Sequence, residues 1–333
     1  MEKTMIQPLI AVLISSLIAI RSYRKKSLDL SGAISGFIVM TIHIAVGYRY
    51  GAMLLAFFFS SSKLTKVGEE KKRRVDADFK EGGQRNWIQV LSNSAIATIL
   101  VVIIWKEAEW QDKCLDSKDS VLVTSLIGGV IGHYCCCNGD TWSSELGILS
   151  DAQPRLITNF KVFYLFLFFL INLFTCYNFQ FASSSIASTA YMLTVDTRLS
   201  WFLHGLQPVR KGTNGAVTKT GLLAAAAAGS IIGMIFVIFG FFTAKCSKDA
   251  ALKQLLVIPL SCLAGLCGSV IDSLLGATVQ FSGFCTVRNK VVGKPGPTVK
   301  KISGLNYLDN NAVNFVSILL TTLLTSIICI FIF

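Results

Sequence analysis

The chain has 333 residues, of which 53% are hydrophobic and only 15% charged, and its formal net charge is +12. A soluble globular domain carries roughly 25% charged residues, so this composition, with its long apolar runs, excludes an ordinary soluble enzyme and indicates an integral membrane protein. The basic charges are scattered between apolar spans and no nucleic-acid motif accompanies them, which sets nucleic acid aside and leaves the lipid bilayer as the partner.

Residues 6–20 form a first apolar span, followed at once by Arg21, Arg24, Lys25 and Lys26. A secretory signal has the reverse order, so this reads as a retained helix whose C-terminal end is cytoplasmic. Residues 28–47 are a second span, with Gly32 and Gly36 at the four-residue spacing that lets helices approach closely. Residues 52–59 run back but are too short to span alone, which keeps Ser60, Ser61 and Ser62 inside the protein. Residues 63–85 are a highly charged stretch that reads as a solvated loop. Its end, with Arg85, Gln89 and Asn93 at four-residue steps, predicts a polar stripe on one helix face.

Spans follow at 87–105 and 120–137, the second running into Asn138-Gly139-Asp140-Thr141-Trp142-Ser143-Ser144-Glu145. Residues 162–182 are apolar, but 183–207 make a poor return span. A single crossing there would put residues 212–215 on the far side from Asp140. A basic glycine-containing loop, Lys211-Gly212-Thr213-Asn214-Gly215, then opens a small-residue helix at 221–242. The span at 255–275 carries Asp272 near its end, and Asp309, Asn310, Asn311 and Asn314 open the last span. The fold class is therefore an all-α polytopic transmembrane bundle, a single membrane domain over 1–333 with about six or seven spans and one anomalous apolar segment at 162–182.

If the first loop is cytoplasmic, alternation places 22 of the 31 Lys and Arg residues on that side, as the positive-inside rule requires. Every polar motif falls on the same face. Of the ten cysteines none forms a CxxC pair; Cys135, Cys136 and Cys137 are consecutive, and Cys262, Cys267 and Cys329 read as small hydrophobes within apolar runs. His133 reads as part of a packed helix end, and His43 has no obvious partner.

Asp140, Glu145 and Asp272 are candidate catalytic and Mg²⁺-binding residues, because Mg²⁺ takes one or two carboxylates and completes its shell with water and phosphate oxygens. They read equally as capping groups. Lys211, Gly212, Thr213, Asn214 and Gly215 can present backbone N–H groups to a phosphate or simply cap a helix. Arg85, Gln89 and Asn93 are candidates for nucleotide or substrate contacts. Asn310, Asn311 and Asn314 serve either as substrate contacts or as interhelical hydrogen-bond groups. The combination suits phosphoryl transfer with a nucleoside triphosphate as donor. Polar groups on membrane helices also suit a transporter, although no internal repeat is evident.

The segments GGQRNWIQVLSN at 82–93, NGDTWSSELG at 138–147, PRLITNFK at 154–161, KGTNGAVT at 211–218, GLCGSVIDSLLGATVQ at 265–280 and DNNAVN at 309–314 together resemble the transmembrane protein 19 family, also called the domain-of-unknown-function-92 integral membrane family. The resemblance implies phytyl-phosphate or isoprenyl-phosphate kinase activity from one branch. The full-length likeness is closer to a plant branch called plasma membrane glucose-responsive regulator, whose biochemical activity the resemblance does not settle, and a non-enzymatic regulator of sugar response is the alternative reading. In that family the segment matching PRLITNFK runs almost directly into the one matching GTNG, so residues 162–207 read as an insertion outside the family pattern. The start of the chain lacks a Ser/Arg-rich transit peptide, which points to the plasma membrane or an endomembrane rather than the chloroplast.

Overall fold

The computed structural model describes residues 2–75, 77, 83–109, 111–158, 206–244 and 246–333. It is a helical bundle with two small sheets at one end. The helices are α1 (Glu2–Arg24), α2 (Leu30–Val46), α3 (Tyr48–Lys66), α4 (Glu69–Val75), α5 (Trp87–Ser92), α6 (Ala95–Glu107), α7 (Val121–Gly147), α8 (Lys219–Thr243), α9 (Lys248–Gln254), α10 (Val257–Thr278) and α11 (Asn310–Ile332). Among the described residues, five stretches are long and apolar enough to cross a membrane: residues 6–24, α7, α8, residues 249–278 and α11. The apolar α2 is shorter.

Helix starts follow local chemistry. Asp29, Ser120, Thr218, Ser247 and Asp309 each accept a backbone N–H with the side chain at an N-cap, an arrangement typically contributing about 1 kcal/mol per helix. Asn86 and Gln89 form a reciprocal capping box that starts α5.

Two spans depart from the sequence reading. The run at 52–59 is part of the longer α3; Ser61 within it is fully buried, as the sequence suggests for this serine cluster. The span at 87–105 is not one helix. It breaks between α5 and α6, at Asn93 and Ser94. The break frees the Asn93 carbonyl, which sits 2.9 Å from His133 Nε2 and accepts the Cys137 thiol at 3.6 Å. Irregular backbone at membrane depth is tolerated where protein groups satisfy it.

The core helices α7, α8 and α10 approach closely through small residues. A Cβ on Gly139 would lie 2.5 Å from the Gly265 carbonyl oxygen, and one on Gly265 would lie 2.7 Å from that of Ala225. Asn138 ties the same helices to α3: its Oδ1 accepts from Ser60 and its Nδ2 donates to the Ala228 carbonyl.

At one end of the bundle, Arg49 is buried with Asp112, donates to the Lys113 carbonyl and lies over the Tyr50 and Phe236 rings. Beside it a disulfide joins Cys114 to Cys246. At the other end lie the sheets. In the first, β1 (Arg155–Leu156) pairs antiparallel with both β2 (Gln207–Pro208) and β3 (Ala216–Val217). In the second, β4 (Ser282–Cys285) pairs antiparallel with β5 (Lys290–Val292) and β6 (Val299–Ser303).

The first sheet settles the parity conflict. Arg155 lies opposite Pro208 and Leu156 opposite Gln207, so the chain at residues 155–158 and at 206–208 lies at one end of the bundle. The anomalous segment at 162–182, and nearly all of 162–207, lie outside the described residues.

Candidate functional site

The site gathers where α7 and α10 cross. Cys136 packs against Gly268, and four residues beyond each, one helical turn, stand Asp140 and Asp272. Their carboxyl groups come within hydrogen-bonding reach of each other. Two carboxylates this close repel unless a proton or a cation lies between them.

A hydroxyl from α11 completes the pair. Ser317 Oγ is 2.8 Å from Asp272 Oδ2 and 3.0 Å from the Asn314 carbonyl oxygen; its single proton serves one acceptor at a time. Asn314 thus sits a turn from the acid pair. Asn310 shares its helix face by spacing, and Asn311 is the next residue round; both follow the Asp309 cap.

Glu145 stands apart from the pair. It forms an ion pair with Lys72, 2.5 Å away. Lys72 belongs to the stretch that reads as a solvated loop, yet α4 folds back so that this lysine is 3% exposed and also donates to the carbonyls of Leu64 and Thr65. Arg85 lies within the electrostatic reach of Glu145, and burial lowers its guanidinium from the ordinary value. Arg85 NH1 donates to Ser62 Oγ at 3.0 Å.

The glycine loop reaches the same end. Gly215 has φ +74°, and a Cβ there would meet the Ser273 carbonyl and the Ala277 nitrogen at 2.4 Å. Only glycine lets the loop seat on α10 directly after Asp272. The loop's polar groups are largely engaged in holding it. The Asn214 N–H donates to Ser282 Oγ, its Nδ2 to the Phe281 carbonyl, and Thr213 Oγ1 to the Arg210 carbonyl. Gly212, also at positive φ, precedes this turn. The Lys211 ammonium donates to the Ser150 carbonyl.

Gln89 and Asn93 lie on the α5 side. Gln89 is occupied by its capping box, and Asn93 Nδ2 donates to the Gln89 carbonyl at 2.9 Å. Both line a cavity with Arg85. The structure therefore gathers Asp140, Asp272 and Asn314 around Ser317, with the glycine loop alongside. It directs Glu145 to Lys72, and Lys211 to a helix end.

Among the described residues, no group of three or more His, Cys, Asp or Glu side chains is arranged to hold a metal. The donor set at the crossing, two carboxylates and a hydroxyl, still fits Mg²⁺ bound mostly by water and phosphate.

Sequence reasoning missed Ser317, Lys72 and the disulfide. A serine inside an apolar run and a lysine inside a basic one carry no distinguishing pattern. The cysteines did carry one: Cys114 and Cys246 fall in the two loops that charge alternation places together, away from the cytoplasm.

The integral membrane protein DUF92 family model matches residues 13–163 and 192–322, with its interruption inside the 162–207 segment. Protein PGR of Arabidopsis thaliana is 65% identical over 323 residues, covering 97% of this chain and 96% of that one. An uncharacterized membrane protein of Methanocaldococcus jannaschii is 26% identical, covering 84% of this chain and 87% of its own. An uncharacterized membrane protein of Synechocystis is 24% identical over 72% of this chain and 66% of its own. No solved structure matches the chain. The chain belongs to the DUF92 family of multi-pass integral membrane proteins.

Proposed function

We propose that the protein transfers a phosphoryl group from a nucleoside triphosphate to a lipid monophosphate of the isoprenyl type, at the cytoplasmic end of the bundle. The observation that carries this reading is the meeting of Asp140 and Asp272 at the helix crossing, with Ser317 beside them. In this reading the two acids hold Mg²⁺, which when bound neutralises phosphate charge. Asp272 is oriented by the Ser317 hydroxyl, and Glu145 fixes Lys72 and the electrostatic setting of Arg85. The glycine loop forms the rim beside Asp272 where nucleotide phosphates approach. Asn310, Asn311 and Asn314 extend the polar face of α11 along the same opening.

The test is purified protein with radiolabelled ATP or CTP and isoprenyl monophosphates. Labelled diphosphate is expected, falling at least ~100-fold in Asp140→Asn and in Asp272→Asn, the scale of losing one preorganised electrostatic group. No turnover with any nucleotide sinks the reading.

A second reading is a non-enzymatic regulator of sugar response. Its support is the 65% identity to the plant protein named PGR. Rescue of a glucose-response defect by the Asp140→Asn chain, without turnover in the wild type, favours it.

A further inference from the structure

A second feature lies at the same end of the bundle, among α1, α2, α3 and α5. The two glycines of α2 do different things there. Gly32 receives the backbone of Arg85: a Cβ on it would lie 2.3 Å from the Arg85 carbonyl oxygen. Hydrogen bonds from Arg85 N to the Ser27 carbonyl and from Asp29 N to the Arg85 carbonyl fix the same contact. Gly36, one turn on, leaves space. A Cβ there would meet only Leu28 Cδ1, at an ordinary 3.5 Å.

That space is part of a cavity bounded by α1, α2, α3 and α5. Its walls are mostly apolar, including Ala19, Val39, Met40, Phe57 and Phe58, while Arg85, Gln89, Asn93 and Ser94 supply its polar lining. The cavity is narrow, about 60 Å³. Its outer wall, α1, packs mainly on α2 and presents Leu9, Leu13 and Leu17 outward, so that wall is the one able to yield toward the bilayer. Arg85 spends one guanidinium nitrogen on Ser62. Apolar walls ending at a fixed cation suit an amphiphile with one chain and an anionic head.

We propose that this cavity is the chain-binding subsite for a single-chain lipid monophosphate, entered sideways past α1, with the phosphate on Arg85 and Gly36 limiting chain size. The proposal rests on the phosphoryl-transfer reading for what happens next: Arg85 and Asp140 both lie within the electrostatic reach of Glu145, so a head held at Arg85 is at the same end of the bundle as the acid pair.

The experiment is photo-crosslinking of the full chain in detergent micelles with diazirine-bearing farnesyl and geranylgeranyl monophosphates, followed by peptide mapping. Crosslinks are expected in residues 18–19, 39–40 and 54–58. Arg85→Gln is expected to lower labelling by the monophosphate about tenfold, the worth of one charge-assisted contact, and to leave labelling by the matching prenyl alcohol unchanged. Gly36→Phe is expected to reduce labelling by the longer probe more than by the shorter, and Gly36→Ala to retain both. Met40→Trp fills the same space from another position and replaces Gly36→Phe if that chain does not fold. Crosslinks confined to other faces, or labelling indifferent to Arg85 and to cavity filling, overturn the proposal. Turnover is scored on the same samples. A labelled cavity without turnover supports the subsite and removes the kinase reading; turnover with crosslinks elsewhere does the reverse.

Discussion

The Lys72 ammonium lies where little water reaches it, paired with Glu145. Removing one member of such a pair leaves the other unpaired, which costs about 3–5 kcal/mol when both are buried. Lys72→Met is therefore expected to lower the unfolding free energy by up to about that amount, and Lys72→Met with Glu145→Leu to recover most of it. Denaturant unfolding of the two chains checks this, and equal stability of Lys72→Met and wild type would contradict the assignment. The acids were legible in the sequence because a carboxylate at the end of an apolar run is costly and conspicuous. Their grouping was not. The sequence reads Asp140, Glu145 and Asp272 as one cluster, but Asp140 meets Asp272, from α10, and Glu145 meets Lys72, from α4. Only packing decides between those partners.

The crossing of α7 and α10 is what turns two distant carboxylates into one site. Gly265 sits there between the other two helices: a Cβ on it would lie 2.7 Å from the Ala225 carbonyl and 2.9 Å from Gly229 Cα. Gly265→Val is expected to destabilise by about 1–3 kcal/mol through overpacking and to abolish turnover with every acid side chain still present. Wild-type melting and turnover in that variant would show that the crossing does not set the site. Hydropathy located most of these spans, since long apolar runs have few other uses. The break in the third span escaped because neither glycine nor proline marks it. Asn93 leaves the helix there, and its carbonyl finds partners in His133 and Cys137, forty or more residues away.

At the scale of the molecule, the two ends differ in chemistry. One holds the acid pair, the glycine loop and most of the basic charge; the other holds the Cys114–Cys246 disulfide and the buried Arg49/Asp112 pair. Disulfides persist in oxidising compartments, so this bond supports the orientation that the charge bias predicts, with that end away from the cytosol. Protein from intact membranes is expected to run faster on non-reducing gels than Cys114→Ser, and a free, readily alkylated Cys114 in those membranes would contradict the orientation. The charge count is what predicts this orientation. The covalent partner was not legible, because 132 residues separate the two cysteines. In the proposed function Asp140 and Asp272 form one cation site. Electron paramagnetic resonance of Mn²⁺ titrated into the purified protein tests it most directly. One bound ion is expected, lost alike in Asp140→Asn and Asp272→Asn and retained in Glu145→Gln; binding that survives either aspartate substitution would contradict the account.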